Sequence, residues 1–436
     1  MKKSLFVFFS LLLTGMASCA PINTLIPVTR TTKQPFLSSP HPIQIATTST
    51  LQPTFSPSIE TKPTMTSTPI VDNELMMPTK CLDLLPAVPE KIELSGYVFF
   101  EAPSISGKGK IGSDAKIDLS EGRKLTLRVT PESTQFGGYV VSPDGKQLAY
   151  WKIQYSTDQR QIARSIVFED YHGKILKEVP GDIETWDTFY WLDNERIVIG
   201  AYGQPNVLNP FTGEFYGLSK WYAQSPGGLH IIPLWDVNGV FDSQLSRIFY
   251  IQEGLTMLLW DMQSQKILAQ LEPYSKYISG DQPQWSWDDK EIVFGYVSAT
   301  NMGEELFSIS RDGEMSQLTA LGQYYSQVRI SKFSWSPDGR NIAFFFKDKS
   351  KDGSQYQLAV LNKETLQVTN YCNLGGFMDP KKENVRPIWS PDGTKLLIGR
   401  LEADQTTFKT ILVDLSDEYA VQLAENLVPV GWMKSP

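Results

Sequence analysis

Apolar residues recur along this chain at alternate positions in short runs, the period-two pattern of half-buried β-strands. The runs come in pairs around tight turns, and the pairs return at a spacing of roughly 44 to 54 residues, which predicts a repeat architecture. The clearest copies are Val141-Ser142-Pro143-Asp144-Gly145 before Leu148-Ala149-Tyr150, Trp335-Ser336-Pro337-Asp338-Gly339 before Ile342-Ala343-Phe344, and Trp389-Ser390-Pro391-Asp392-Gly393 before Leu396-Leu397-Ile398. Serine can bond the turn backbone, proline presets φ, aspartate suits the third position and glycine takes the left-handed conformation that closes a hairpin. Weaker copies fall where the period requires them, at Trp191-Leu192-Asp193-Asn194, Phe241-Asp242-Ser243 and Trp287-Asp288-Asp289, making six first hairpins.

A second hairpin follows each first one, at 166–179, 207–218, 258–271, 306–318, 358–368 and 411–423, and one more stands out of order at 115–129, making seven. The extra copy is preceded by a lone strand, Tyr97 to Phe100, and the chain ends in another, Val428 to Met433, with Trp432 where other units place Trp335 or Trp389. Joining the two lone strands completes a unit and leaves no open edge at the ring closure. The pattern therefore predicts an all-β, seven-bladed β-propeller of four-stranded blades, closed by pairing the chain's ends, with six blades as the alternative.

The motif Pro387-Ile388-Trp389-Ser390-Pro391-Asp392-Gly393 resembles the WD-like repeats of the TolB propeller family, and the resemblance extends over roughly residues 92–433. It implies a propeller that works in envelope protein complexes. TolB itself carries an α/β domain before a six-bladed propeller, and neither feature is read here, so its specific partner does not transfer.

Outside the repeats, Lys2 and Lys3 precede an apolar run from Leu5 to Leu13, the length of a secretory signal and too short to span a membrane. Met16-Ala17-Ser18-Cys19 resembles the bacterial lipobox, in which the cysteine is acylated and becomes the mature N-terminus. Thr, Ser and Pro then dominate to Thr79, a composition that cannot bury enough apolar surface to fold. The expected organisation is a lipoprotein signal peptide over 1–18, a disordered tether over 19–79 and the propeller over 80–436. The expected location is the outer face of the cell membrane or the cell envelope, with the lipid on Cys19 as the membrane contact.

Composition narrows the function. A net charge of −8 and the absence of a long Lys/Arg cluster argue against nucleic acid, whose affinity comes from neutralised phosphates. The three histidines, His41, His172 and His230, lie in the tether and in different units, so no histidine metal centre and no cofactor is expected. No Gly-x-Ser-x-Gly elbow or glycine-rich phosphate loop is present. Asp144, Asp338 and Asp392 are explained by turn geometry, and Asp348-Asp352-Gly353 reads as a hairpin before it reads as a calcium loop. No catalytic residue is assigned.

With Cys19 acylated, Cys81 and Cys372 remain as a pair in an oxidising compartment, and a disulfide between them would fasten the start of the domain to the sixth blade. Segments entering the innermost strands are rich in aromatics, which makes Trp186, Trp221, Tyr222, His230, Tyr274, Tyr277, Tyr324, Tyr325 and Phe377 candidate ligand contacts. Two functions fit. The first is a monomeric, non-catalytic envelope module that binds a protein or glycan partner; the second is a hydrolase or lyase acting on an extracellular polymer through carboxylates in the central channel. Facing carboxylates in one pocket would favour the enzyme, and an aromatic rim would favour binding.

Overall fold

A computed structural model describes residues 77–435 except 86–93, 103–113, 120–124, 129–132, 159, 182–187, 202–203, 219–238, 253–255, 272–281, 298–302, 351–354, 377–384 and 405. The described residues form seven antiparallel four-stranded blades in a ring, a seven-bladed β-propeller. One short 3-10 helix, Leu321–Gln323, is the only helix among them. Blade 1 combines Val428–Met433 with Tyr97–Glu101, Ala115–Asp118 and Leu125–Leu127. Blades 2 to 7 then follow in chain order over 134–181, 188–217, 240–271, 284–317, 328–376 and 388–425.

The closure unites the two lone strands. Tyr97 faces Met433, Val98 faces Trp432 and Glu101 faces Val428, so the last strand of the chain is the innermost strand of the blade that the chain begins. Gly96 makes the approach possible: its φ is +95°, and a Cβ there would lie 2.2 Å from the Met433 carbonyl oxygen.

The Ser-Pro-Asp-Gly turns fold alike because each satisfies its backbone in the same way. Ser336 Oγ donates to Asp338 Oδ1 at 2.6 Å while accepting the Asn341 amide at 2.9 Å, and the Gly339 amide donates to the Ser336 carbonyl at 2.9 Å. Ser142 and Ser390 repeat the pattern on Asp144 and Asp392. In blade 4 Asp242 takes the serine's place and accepts the Ser246 and Arg247 amides at 2.7 and 2.9 Å.

Inner strands face the ring axis and have no strand beyond them, so some of their carbonyls need other donors. Tryptophan supplies them. Trp191, Trp285, Trp335 and Trp389 each donate Nε1–H to an inner-strand carbonyl of the preceding blade, at Val140, Val240, Gln284 and Ser334, over 3.1 to 3.4 Å. Blade 4 carries Phe241 at this position, and there Tyr190 Oη accepts the Phe241 amide at 3.3 Å. One residue type thus packs between blades and bonds them.

Two further strands are added at the rim. Thr79–Cys81 pairs in parallel with the outermost strand of blade 6, and Leu84–Leu85 in parallel with that of blade 7. Met77 and Leu82 are buried on the way, in the cores around blade 6 and between blades 6 and 7. Cys81 lies opposite Cys372 and is bonded to it, with Cα atoms 4.7 Å apart.

Candidate binding cavity

A cavity of about 1040 Å³ runs along the ring axis, walled by the inner strands and the turns at their ends. Where the strands end, on the turn face, Pro143, Pro337, Pro391 and Trp287 surround its mouth. Trp287 stands where three other blades carry the turn proline, so a large ring occupies a position that points outward. Its side is 52% exposed, yet Nε1 donates to the Ser336 carbonyl at 3.0 Å, which fixes the indole beside the next blade's turn. A rigid, half-exposed indole is the kind of surface that sugars and apolar side chains stack on.

Neighbouring turns are tied together around this face. The Asp144 amide donates to Asn194 Oδ1 at 2.9 Å, Arg196 donates to the Ser243 carbonyl at 2.6 Å, and Ser243 donates to the Asp289 carboxylate. The Lys434 amide reaches the Gly145 carbonyl at 2.8 Å, tying the end of the chain to blade 2. Burial alone would raise the carboxyls of Asp144, Asp288 and Asp392, but hydroxyl and amide donors in their own turns, and for Asp288 first of all the Lys290 ammonium, hold them below the usual range. They remain ionised and committed to the turns.

Further along the cavity, Tyr139 hydrogen-bonds Asp114, and burial followed by that carboxylate raises its pKa well beyond the usual phenol range. Behind it Arg128 closes the junction of blades 1 and 2, bonded to Glu169 at 2.6 Å and stacked 4.3 Å from the Tyr150 ring centre. Among the described residues the wall carries the carboxylates of Glu101 and Asp144. Glu101 pairs with Val428 at the start of the closing strand, whereas Asp144 sits in the turn held by Lys434 beyond its end. About 17 Å of strand separates these levels, so the two do not face each other across one pocket. Among the described residues no group of three His, Cys, Asp or Glu side chains is placed to hold a metal ion.

Of the aromatic candidates, Tyr324 and Tyr325 are half-buried against the core of blades 5 and 6. The Tyr325 ring lies 5.3 Å from Phe346 and its hydroxyl 3.9 Å from the Met77 sulfur, so its body is used in packing. Trp186, Trp221, Tyr222, His230, Tyr274, Tyr277, Phe377 and Cys19 lie outside the described residues. His172 is an exposed turn residue whose amide donates to Asp170. Trp287, a large apolar residue that is exposed at the cavity mouth, was readable as a turn position; its signal is an aromatic in a proline's place.

With this geometry defined, comparison shows a likeness of fold. No protein-family model and no curated protein matches the chain. An oligogalacturonate lyase in complex with manganese is similar over 78% of this chain and 85% of that chain, at 10% identity and a TM-score of 0.46. The oligogalacturonate lyase of Vibrio parahaemolyticus is similar over 76% and 87%, at 13% identity and a TM-score of 0.47. The tricorn protease matches over 77% of this chain and 39% of its own, at 9% identity and 0.40.

A titratable device lies in blade 5, at the end of its strands away from the turn face. Glu304 is buried in blade 5 and accepts the Ile330 amide of blade 6 at 2.7 Å; burial pushes its pKa up from 4.5 to about 7. Between these values the folded chain keeps a proton that the unfolded chain has released, so the stability contributed by Glu304 is full below pH 4.5, is lost as pH rises to about 7 and then levels. The melting temperature is expected to drop by roughly 2 to 4 °C per kcal/mol lost across that window. Differential scanning calorimetry should show this slope in the native chain and a flatter one in Glu304→Gln.

Proposed function

We propose that this chain is a non-catalytic, lipid-anchored binding protein of the cell envelope that holds a protein or glycan partner at the turn face of its propeller. The observation that carries the reading is Trp287, half exposed at the mouth of the axial cavity and fixed in place by its bond to Ser336. The repeats that resemble the TolB family support an envelope role, and the lipobox-like segment ending in Cys19 supports an anchor. The turn carboxylates are committed to backbone donors, so the aromatic and proline surface is what a partner would meet.

The test compares native chain, Trp287→Ala and Trp221→Ala/Tyr222→Ala for partner capture from envelope extract. Trp287→Ala should weaken capture about tenfold or more, the loss expected of a buried interface tryptophan, without changing the melting temperature. Equal capture by native chain and Trp287→Ala would remove the turn face from consideration. Loss confined to the Trp221→Ala/Tyr222→Ala variant would assign the site to those two residues instead. Cys19→Ser should release the protein from the membrane fraction; retention would remove the anchor.

A further inference from the structure

The chain enters its ring along the rim. Thr79–Cys81 lies on the outermost strand of blade 6, Leu84–Leu85 on that of blade 7, and Tyr97–Glu101 then closes blade 1 against Val428–Met433. Three apolar side chains fasten this strap to successive junctions. Met77 is buried in the core shared by blades 5 and 6, Leu82 in that of blades 6 and 7, and Leu85 is half-buried against that of blades 7 and 1. Between the first two stands a covalent link, Cys81 to Cys372. The outermost strands of blades 1 to 5 have no such strand beyond them among the described residues, so the strap covers the blades that lie just before the closing joint.

We propose that this strap is the load-bearing attachment of the propeller: a pull arriving from the N-terminal side passes through Cys81 into blade 6 and does not reach the closing joint. The proposal rests on the anchor at Cys19, since a protein held by its N-terminal side and loaded through its partner is pulled at the strap. The joint needs this protection. Tyr97–Glu101 is held to the last strand by non-covalent pairing along five residues, and it is the first strand of the ring that an unclamped chain would lose. The parallel pairs of the strap are shorter still, at three and two residues, and the Lys80–Glu418 ion pair beside them is exposed and adds little. A covalent bond does not peel. It delivers the load to Val368–Gly376, a nine-residue strand paired on both sides, whose Tyr371 and Leu374 are buried in the core of blades 6 and 7. A bond serving stability alone would gain from any long loop it closed; its position at the chain's entry, ahead of the joint, is what a load requires.

The test pulls single molecules in optical tweezers. One handle is attached to Cys19 of the unacylated full chain, the thiol that the disulfide leaves over, and the other to an azide-bearing side chain placed at the exposed Gln263, in the turn after Thr256–Asp261 of blade 4. The native chain should show no lengthening before the blades themselves unfold. The Cys81→Ser/Cys372→Ser variant should first lengthen by about 60 Å, roughly 18 residues from Thr79 to Gly96 at about 3.4 Å each, and then open at the closing joint at about half the native force or less. Dithiothreitol, added once the handles are attached, should bring the native chain to the same pattern. The early lengthening in the oxidised native chain, or equal opening forces with and without the bond, overturns the proposal. A variant that differs only in melting temperature overturns it too, because the bond would then serve the resting fold alone. Failure of the anchor is read separately, in the membrane fractionation of Cys19→Ser.

Discussion

Replacing Trp432 by alanine is expected to lower the unfolding free energy by about 3 to 5 kcal/mol, a large share of the roughly 5 to 15 kcal/mol that holds a typical domain. Trp432 is 4% exposed and packs with Leu94, Val98, Phe100 and Ile117 of the chain's beginning and Leu397 of blade 7. Its Nε1 donates to the Ser95 carbonyl at 2.9 Å, so truncation leaves a cavity and removes the bond that ties the last strand to the segment entering the first. Trp191, Trp285, Trp335 and Trp389 bond to the preceding blade; Trp432 bonds to a residue 337 positions earlier in the chain. Its loss therefore acts on ring closure as well as on packing. Gly96→Ala should act on the same joint from the other side, since its Cβ would meet the Met433 carbonyl at 2.2 Å. Chemical denaturation of both variants should show lower midpoints, and a native-like midpoint in Trp432→Ala would mean that the closing strand is not what holds the ring.

That joint was legible because the count of half-units did not balance. Six first hairpins and seven second hairpins, with a lone strand at each end, leave one arrangement without an open edge, and the register of Val98 on Trp432 is that arrangement. Turns were legible for a local reason: serine, aspartate and glycine close the hairpin with bonds that span at most five residues. The weaker turns are informative too, because Asp242 does for blade 4 what serine does elsewhere with a different side chain. What a local pattern does not encode is which face of the ring is used. Trp287 belongs to a turn by spacing, and its exposure follows from the next blade's Ser336 carbonyl. The rim strands were out of reach for a similar reason: runs of three and two residues carry no periodicity, and parallel pairing with blades 6 and 7 is decided by strands at the far end of the chain, 291 residues on for Cys81 and further still for Leu84.

Removing the disulfide as Cys81→Ser/Cys372→Ser is expected to destabilise the chain by roughly 2 to 5 kcal/mol. The bond joins residues 291 apart, so the unfolded chain loses the conformational freedom of a very long loop, near the upper end of what a single cross-link can restrict. Native contacts at the site are modest by comparison. Lys80 and Glu418 form an exposed ion pair beside it, which adds little in water, whereas Leu82 is buried among Tyr371, Leu374 and Trp389 and would stay there in the serine variant. The serine variant should thus keep the fold and its rim strand while unfolding at a lower temperature. Dithiothreitol separates the covalent effect from the change of side chain: it should lower the melting temperature of the native chain toward that of the variant and leave the variant unmoved. Equal melting of the native chain with and without reductant would show that the bond does not contribute. A fall in both would place the reductant's effect elsewhere.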